Sequence, residues 1–110
     1  MAKPILIFGL AQSLYDNMVK IFKRYDKIDK VLLFGSRAKG TAKPYSDFDL
    51  AILAPEMSGK EFALLWSEIN DLPIIFKLDV VHWNRLNNRK FKEKILNEGK
   101  NFYPLPDHTE

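Results

Sequence analysis

Cysteine is absent from the 110 residues, which removes any disulfide framework or thiolate metal site and is compatible with a reducing cytosol. Long apolar runs are missing too, and nothing approaches the roughly 18 residues that a membrane span needs. Ile5 to Ala11 barely reaches the length of a signal-peptide core and follows a single Lys, so it reads as part of the domain and not as a leader. Charge of one sign is scarce: 17 basic and 14 acidic residues leave +3, too mild a balance to argue for a nucleic-acid partner. No internal repeat, low-complexity tract or linker is visible, and the length leaves room for one modest core. The expectation is one cytoplasmic domain over residues 1–110, with a frayed tail from about 104 to 110 and no membrane association.

What is present is concentrated in VLLFGSRAKGTAKPYSDFDLAIL, from Val31 to Leu53. Val31 to Phe34 is a continuous apolar run that predicts a buried strand. It stops at Gly35 and Ser36, after which Arg37, Ala38 and Lys39 suit the first turn of a short helix. Such a turn leaves backbone N–H groups pointing outward. Glycine lets the backbone approach a bulky anion, and the Ser36 hydroxyl adds a rotatable donor. The pattern therefore suits a phosphate. Asp47 to Leu53 predicts a second strand, with Asp47 and Asp49 on one face and Phe48, Leu50 and Ile52 on the other. Two neighbouring carboxylates repel each other unless a cation sits between them. Mg²⁺ binds oxygen ligands, commonly one or two carboxylates plus substrate phosphates.

Elsewhere the patterns are ordinary. A first helix is predicted from about Ala11 to Tyr25, with Leu14, Met18, Ile21, Phe22 and Tyr25 inward, after a loosely held start over residues 1–10. Ser58-Gly59-Lys60-Glu61 has the form of a capping box, opening a helix to about Asn70 whose apolar face comprises Phe62, Leu65, Trp66 and Ile69, so that Trp66 is expected in the core. Ile74 to Trp83 predicts a third strand. Asp79 lies in its apolar middle, where an unpaired charge would be costly. His82 is expected to be a hydrogen-bonded structural imidazole. A last helix from Arg85 to Glu98 turns Leu86, Phe91, Ile95 and Leu96 inward and a basic face outward, with Gly99 ending it.

Gly35-Ser36, ten intervening residues and then Asp47-x-Asp49 resemble the signature of the nucleotidyltransferase superfamily related to DNA polymerase beta. GSRAKG followed by SDFDLAIL is similar to its smallest members, the minimal nucleotidyltransferase (MNT) proteins, and the likeness runs from about Phe8 to Tyr103. It implies a small mixed β-sheet, α/β or α+β in class, with helices mainly on one face. A third Asp on a neighbouring strand completes the family's metal site, and Asp79 matches it. The resemblance thus implies that Asp47, Asp49 and Asp79 converge as metal ligands and catalytic residues for two Mg²⁺ ions, with Mn²⁺ as the alternative. Gly35 and Ser36 would hold the β and γ phosphates of ATP. Arg37, Lys39 and Lys43 are close enough in sequence to help neutralise them, although many relatives carry Arg in place of Lys39, and an ammonium lacks the guanidinium fork.

MNT proteins of this kind are commonly encoded beside a helical HEPN-family toxin and transfer AMP from ATP onto one of its tyrosines, silencing its RNase activity. The resemblance therefore implies a protein adenylyltransferase acting as an antitoxin, with homo- or hetero-oligomers left open. Two other readings stand beside it. One is a non-catalytic MNT-fold module that neutralises its helical partner by occlusion; the other, less favoured, is a nucleic-acid binder using the basic last helix.

Overall fold

The computed structural model describes residues 6–7, 9–43 and 46–105. Phe8, Tyr45 and the part of the expected frayed tail beyond Leu105 lie outside them. In chain order the elements are β1 (Leu6–Ile7), β2 (Leu10–Ala11), α1 (Gln12–Lys23), β3 (Lys30–Phe34), α2 (Ser36–Lys39), β4 (Phe48–Leu53), α3 (Gly59–Asn70), β5 (Leu78–His82), a 3-10 turn (Trp83–Arg85), α4 (Arg89–Glu98) and β6 (Lys100–Tyr103). Four strands form one mixed sheet in the order β5-β4-β3-β6. In it β3 runs antiparallel to β4 and β6, while β4 runs parallel to β5. The parallel step needs a crossover, and α3 supplies it.

Alternation along the strands divides the side chains between two faces. Val31, Leu33, Phe48, Leu50, Ile52, Leu78 and Val80 join Met18, Ile21 and Phe22 of α1 and Leu65 and Ile69 of α3 in the main core. The opposite face carries a smaller cluster in which Leu32, Ala51 and Ile95 are buried and Phe34, Val81, Trp83 and Phe91 pack around them. Two of the three long helices thus share one face, and α4 alone covers the other.

Local chemistry explains the boundaries. Ser58 accepts from the Glu61 amide at 3.1 Å while the Glu61 carboxylate accepts from the Ser58 amide at 2.9 Å, completing the expected capping box. Asn88 caps α4 by accepting from the Phe91 amide at 3.0 Å, so this helix starts four residues after Arg85. Gly99 ends α4 in extended backbone instead of the left-handed form; a Cβ there would lie 2.4 Å from the Ile95 carbonyl oxygen. His82 is structural, as expected: it is buried, its Nε2 donates to the Ala54 carbonyl at 2.9 Å, and its ring stacks on Phe62 at 5.0 Å.

Five expectations need correction, the first being that Leu96 turns inward, since it is exposed. Leu10 and Ala11 belong to a short β1–β2 pairing turned at Gly9, which has φ of 83°, and not to a loosely held start and the first helix. The third strand begins at Leu78 and not at Ile74, because its sheet partner begins at Phe48 and Phe48 pairs with Leu78; Ile75 is fully exposed. Trp66 is 47% exposed and not core, since it flanks the Leu65 and Ile69 stripe beside β5, the edge strand of the four-stranded sheet, where no further strand among the described residues covers the ring. The chain also forms a sixth strand where only a helix end and a tail were expected.

That strand, β6, closes the core. Phe102 is fully buried, with edge-on contacts to Tyr15, Phe22 and Phe48 at centroid distances of 5.0, 6.3 and 5.9 Å. The Tyr15 hydroxyl donates to the Phe102 carbonyl at 2.7 Å, and burial pushes the Tyr15 phenol up to about 12. Phe102→Ala should cost about 3–5 kcal/mol, the range for emptying a buried aromatic site, measured as a lower urea midpoint.

Candidate active site

The chain reverses between β3 and β4 through Gly35, α2 and the loop that follows. Gly35 has φ of 77°, a region that side-chain-bearing residues rarely adopt. A Cβ placed on it would lie 2.3 Å from Asp49 Oδ2. The Asp49 carboxylate therefore rests directly against the Gly35 α-carbon, and no other residue fits there without displacing it. The antiparallel register sets this contact by pairing Phe34 with Asp49. The expected short helix forms at Ser36–Lys39, with the Ala38 and Lys39 amides both donating to the Gly35 carbonyl at 3.1 and 3.2 Å.

Asp79 arrives from the other side. The parallel register pairs Asp49 with Asp79, so both carboxylates lie on the α4 face at the starting ends of their strands. Asp47 immediately precedes β4, close enough for its charge to act on Asp49. Asp49 is half-buried, whereas Asp47 and Asp79 are exposed. The exposure of Asp79 corrects the expectation of a carboxylate held in an apolar interior, because the α4 face of β5 is open at its start.

The charges of Asp79 and Asp47 act on Asp49. The Asp49 carboxyl is held above its ordinary range by burial first, then by the negative charges of Asp79 and Asp47, with Lys77 opposing. Lys77 is a cation that the sequence reading missed. Its signal was there in Lys77-x-Asp79, since residues two apart along an extended chain share a side.

The donor set is all oxygen and all carboxylate, which suits a hard dication. Among the described residues, however, no group of three or more His, Cys, Asp or Glu side chains is gathered closely enough to hold a metal by itself. Strand register pairs Asp49 with Asp79, and the charges of Asp79 and Asp47 act on Asp49, without a closed cage among the described residues. Such an incomplete set fits Mg²⁺, which keeps several waters and takes part of its shell from substrate phosphates.

Two hollows flank the carboxylates. One, of about 260 Å³, opens beside Gly35 and Ser36 and is walled by Phe34 and Phe91, with Lys39 and Glu98 also lining it. The other, of about 350 Å³, includes Asp79, Lys77, Trp66, Asn70 and Phe76 in its lining. Of the expected phosphate-neutralising cations, Lys39 pairs with Glu98 at 3.3 Å and Lys43 is exposed in the loop. The Arg37 guanidinium is engaged by the Ser46 carbonyl and by the rings of Phe48 and Phe76.

The Asp49 shift carries a sign. Its folded value lies above the unfolded one, so the fold resists ionisation of this group. The penalty is absent below the ordinary carboxylate range, grows as pH rises through that range and is fully present above the raised folded value. Asp49→Asn should therefore raise the melting temperature of the metal-free protein at neutral pH, with the gap from wild type closing as the solution is acidified. Gly35→Ala should lower the melting temperature at both pH values, because its strain and clash do not titrate.

Comparison with known proteins agrees with this architecture. The family model described as Polymerase beta, Nucleotidyltransferase matches residues 16–106. A search of curated protein sequences gives no significant match. Among solved structures, a toxin-antitoxin with AMP-PNP superposes with a TM-score of 0.65 at 21% identity, over 81% of this chain and 72% of that one. A mutant of the toxin-antitoxin MntA-HpeT gives 0.62 at 16% identity, over 81% and 71%. A candidate nucleotidyltransferase from Sulfolobus solfataricus gives 0.53 at 18% identity, over 81% and 76%. At these identities the structural likeness is one of fold, while the family model spans most of the sequence: the chain belongs to the polymerase beta nucleotidyltransferase family.

Proposed function

We propose that this chain is a metal-dependent protein adenylyltransferase that acts as an antitoxin, transferring AMP from ATP to a hydroxyl of a helical HEPN-family toxin. The observation that carries the reading is the seat of Asp49: its carboxylate touches the glycine of the phosphate turn on one side and is paired in register with Asp79 on the other. A triphosphate held at Gly35 and Ser36 would then lie beside the acidic group that handles its metal. The toxin-antitoxin systems among the fold neighbours, one of them with AMP-PNP, support the choice of nucleotide and partner class.

In this reading Asp47, Asp49 and Asp79 are the metal-binding and catalytic residues for Mg²⁺. When bound, the divalent ions neutralise charge on the phosphates and acidify the incoming hydroxyl. The protein's own contribution is placement. The Gly35-Ser36 turn offers backbone amides and a hydroxyl to the β and γ phosphates. Asp79, exposed on the edge strand β5, is the carboxylate assigned to the acceptor's side and the candidate to receive its proton. The acceptor oxygen bonds the α-phosphorus as the bond to the β-phosphate oxygen breaks, and pyrophosphate leaves.

The occlusion reading draws on one specific observation, the lack of a closed three-carboxylate cluster among the described residues. Incubation of the purified chain with its partner, Mg²⁺ and α-labelled ATP separates the two. Transfer should place label on the partner, and Asp47→Ala or Asp79→Ala should reduce the rate by on the order of 100-fold or more, as expected for loss of a metal ligand. A partner that is neutralised without acquiring label would establish occlusion instead.

A further inference from the structure

Arg37 follows the phosphate turn directly, yet its side chain turns away from the place a triphosphate would occupy in the reading above. Its Nε and Nη2 both donate to the carbonyl oxygen of Ser46, at 3.3 and 2.9 Å. Its guanidinium carbon lies 5.2 Å from the ring centre of Phe48 and 5.0 Å from that of Phe76, and those two rings stack on each other at 5.5 Å. A Cβ on Gly9 would come within 3.3 Å of its Nη1.

These contacts tie together the segments that carry the three acids. Ser46 is bonded to Asp47, Phe48 lies between Asp47 and Asp49, and Phe76 precedes Asp79 by three residues. Asp47 is the weakly held member, because the ladder of β4 begins only at Phe48. We propose that Arg37 is a positioning residue: its guanidinium locks the Ser46–Asp47 backbone and the approach to Asp79 onto the phosphate-turn helix, setting the spacing of the carboxylates, and does not serve as a phosphate ligand. The inference rests on the metal-dependent reading and replaces the expectation that Arg37 binds nucleotide. The geometry selects arginine, since a planar fork can give two N–H groups to one oxygen while its face stacks on aromatic rings, whereas an ammonium cannot do both.

Charge alone predicts the opposite outcome, which makes the inference testable. Removing a cation near an acidic cluster should tighten the binding of a dication by Coulomb attraction; losing a positioning contact should weaken it. A phosphate-ligand role predicts weaker ATP binding with Mn²⁺ binding unchanged or tighter. The experiment is a titration of the full chain with Mn²⁺ in the absence of nucleotide, read by electron paramagnetic resonance, alongside melting temperatures. The series comprises wild type, Asp47→Asn, Arg37→Lys, Arg37→Gln and Phe76→Leu. Arg37→Lys and Arg37→Gln should each lose about tenfold or more in Mn²⁺ affinity, the scale of other contacts that orient metal ligands, and Phe76→Leu should lose less in the same direction. Equal or tighter Mn²⁺ binding by the folded Arg37 variants overturns the inference. Should those variants fail to fold, Phe76→Leu decides, because it keeps the guanidinium and its bonds to Ser46: unchanged Mn²⁺ affinity overturns the inference, and a loss at an unchanged melting temperature supports it. If wild type shows no Mn²⁺ binding that Asp47→Asn abolishes, the metal-site reading itself fails and takes the inference with it.

Discussion

The contact between the Asp49 carboxylate and the α-carbon of Gly35 is the constraint on which the rest of the site depends. It exists because β3 and β4 pair antiparallel with Phe34 opposite Asp49. A shift of that register by one residue would send every side chain of β4 to the other face, taking Asp49 into the main core and Phe48, Leu50 and Ile52 out of it. Those three are fully buried, so the hydrophobic effect that builds the larger core also fixes the acid against the turn. The site needs no separate device to hold its register, because the cost of slipping falls on the core.

The two faces of the sheet are unequal, and the inequality leaves room for chemistry. The face packed by α1 and α3 collects the large aromatic and aliphatic side chains. The face under α4 buries only Leu32, Ala51 and Ile95 among the described residues. Its strand starts carry carboxylates in place of apolar groups, and a hollow opens on it beside the Gly35-Ser36 turn. Burial and mutual repulsion raise the Asp49 carboxyl, an unfavourable state that the fold maintains. Strain of this electrostatic kind recurs where a protein is built to receive a counter-charge. Placing it on the thinly packed face keeps the main core free of buried charge.

Much of this was legible in the chain, for reasons that can be named. Alternation in Asp47 to Leu53 revealed which side Asp49 takes, and the apolar run before Gly35 located the strand that presents the turn. Ser58 and Glu61 announced their helix through a local rule that tertiary context did not override. The failures share a different cause, since each depended on what lies beside an element in space. Strand β5 is shorter than its apolar sequence because β4 offers no partner before Phe48. Trp66 is exposed because the sheet ends next to it, a fact of strand order invisible in a helical period. Strand β6 is four residues long and half polar, and only its contact with Tyr15, Phe22 and Phe48 makes Phe102 a core residue. The contacts of Arg37 were likewise invisible in the chain, because its partners Ser46, Phe48 and Phe76 lie nine or more residues away.

The placement of the cations bears on why a metal would be needed at all. A triphosphate entering beside Ser36 meets Lys94 in the wall of the hollow, while other cations around the turn are already engaged. Arg37 is held by a carbonyl and two rings, Lys39 faces Glu98, and Lys77 acts on Asp49. Lys94 and the exposed Lys43 can offset part of a triphosphate's charge, further neutralisation through side chains would mean breaking one of these pairings, and the backbone amides of the turn contribute only partial charges. In the proposed reaction a bound dication would offset the remaining charge, with the carboxylates and the phosphates each supplying it ligands that the other set lacks. Metal and nucleotide then bind as one thermodynamic unit: each completes the coordination or charge balance that the other lacks, and the same coupling gives each a higher affinity in the presence of the other.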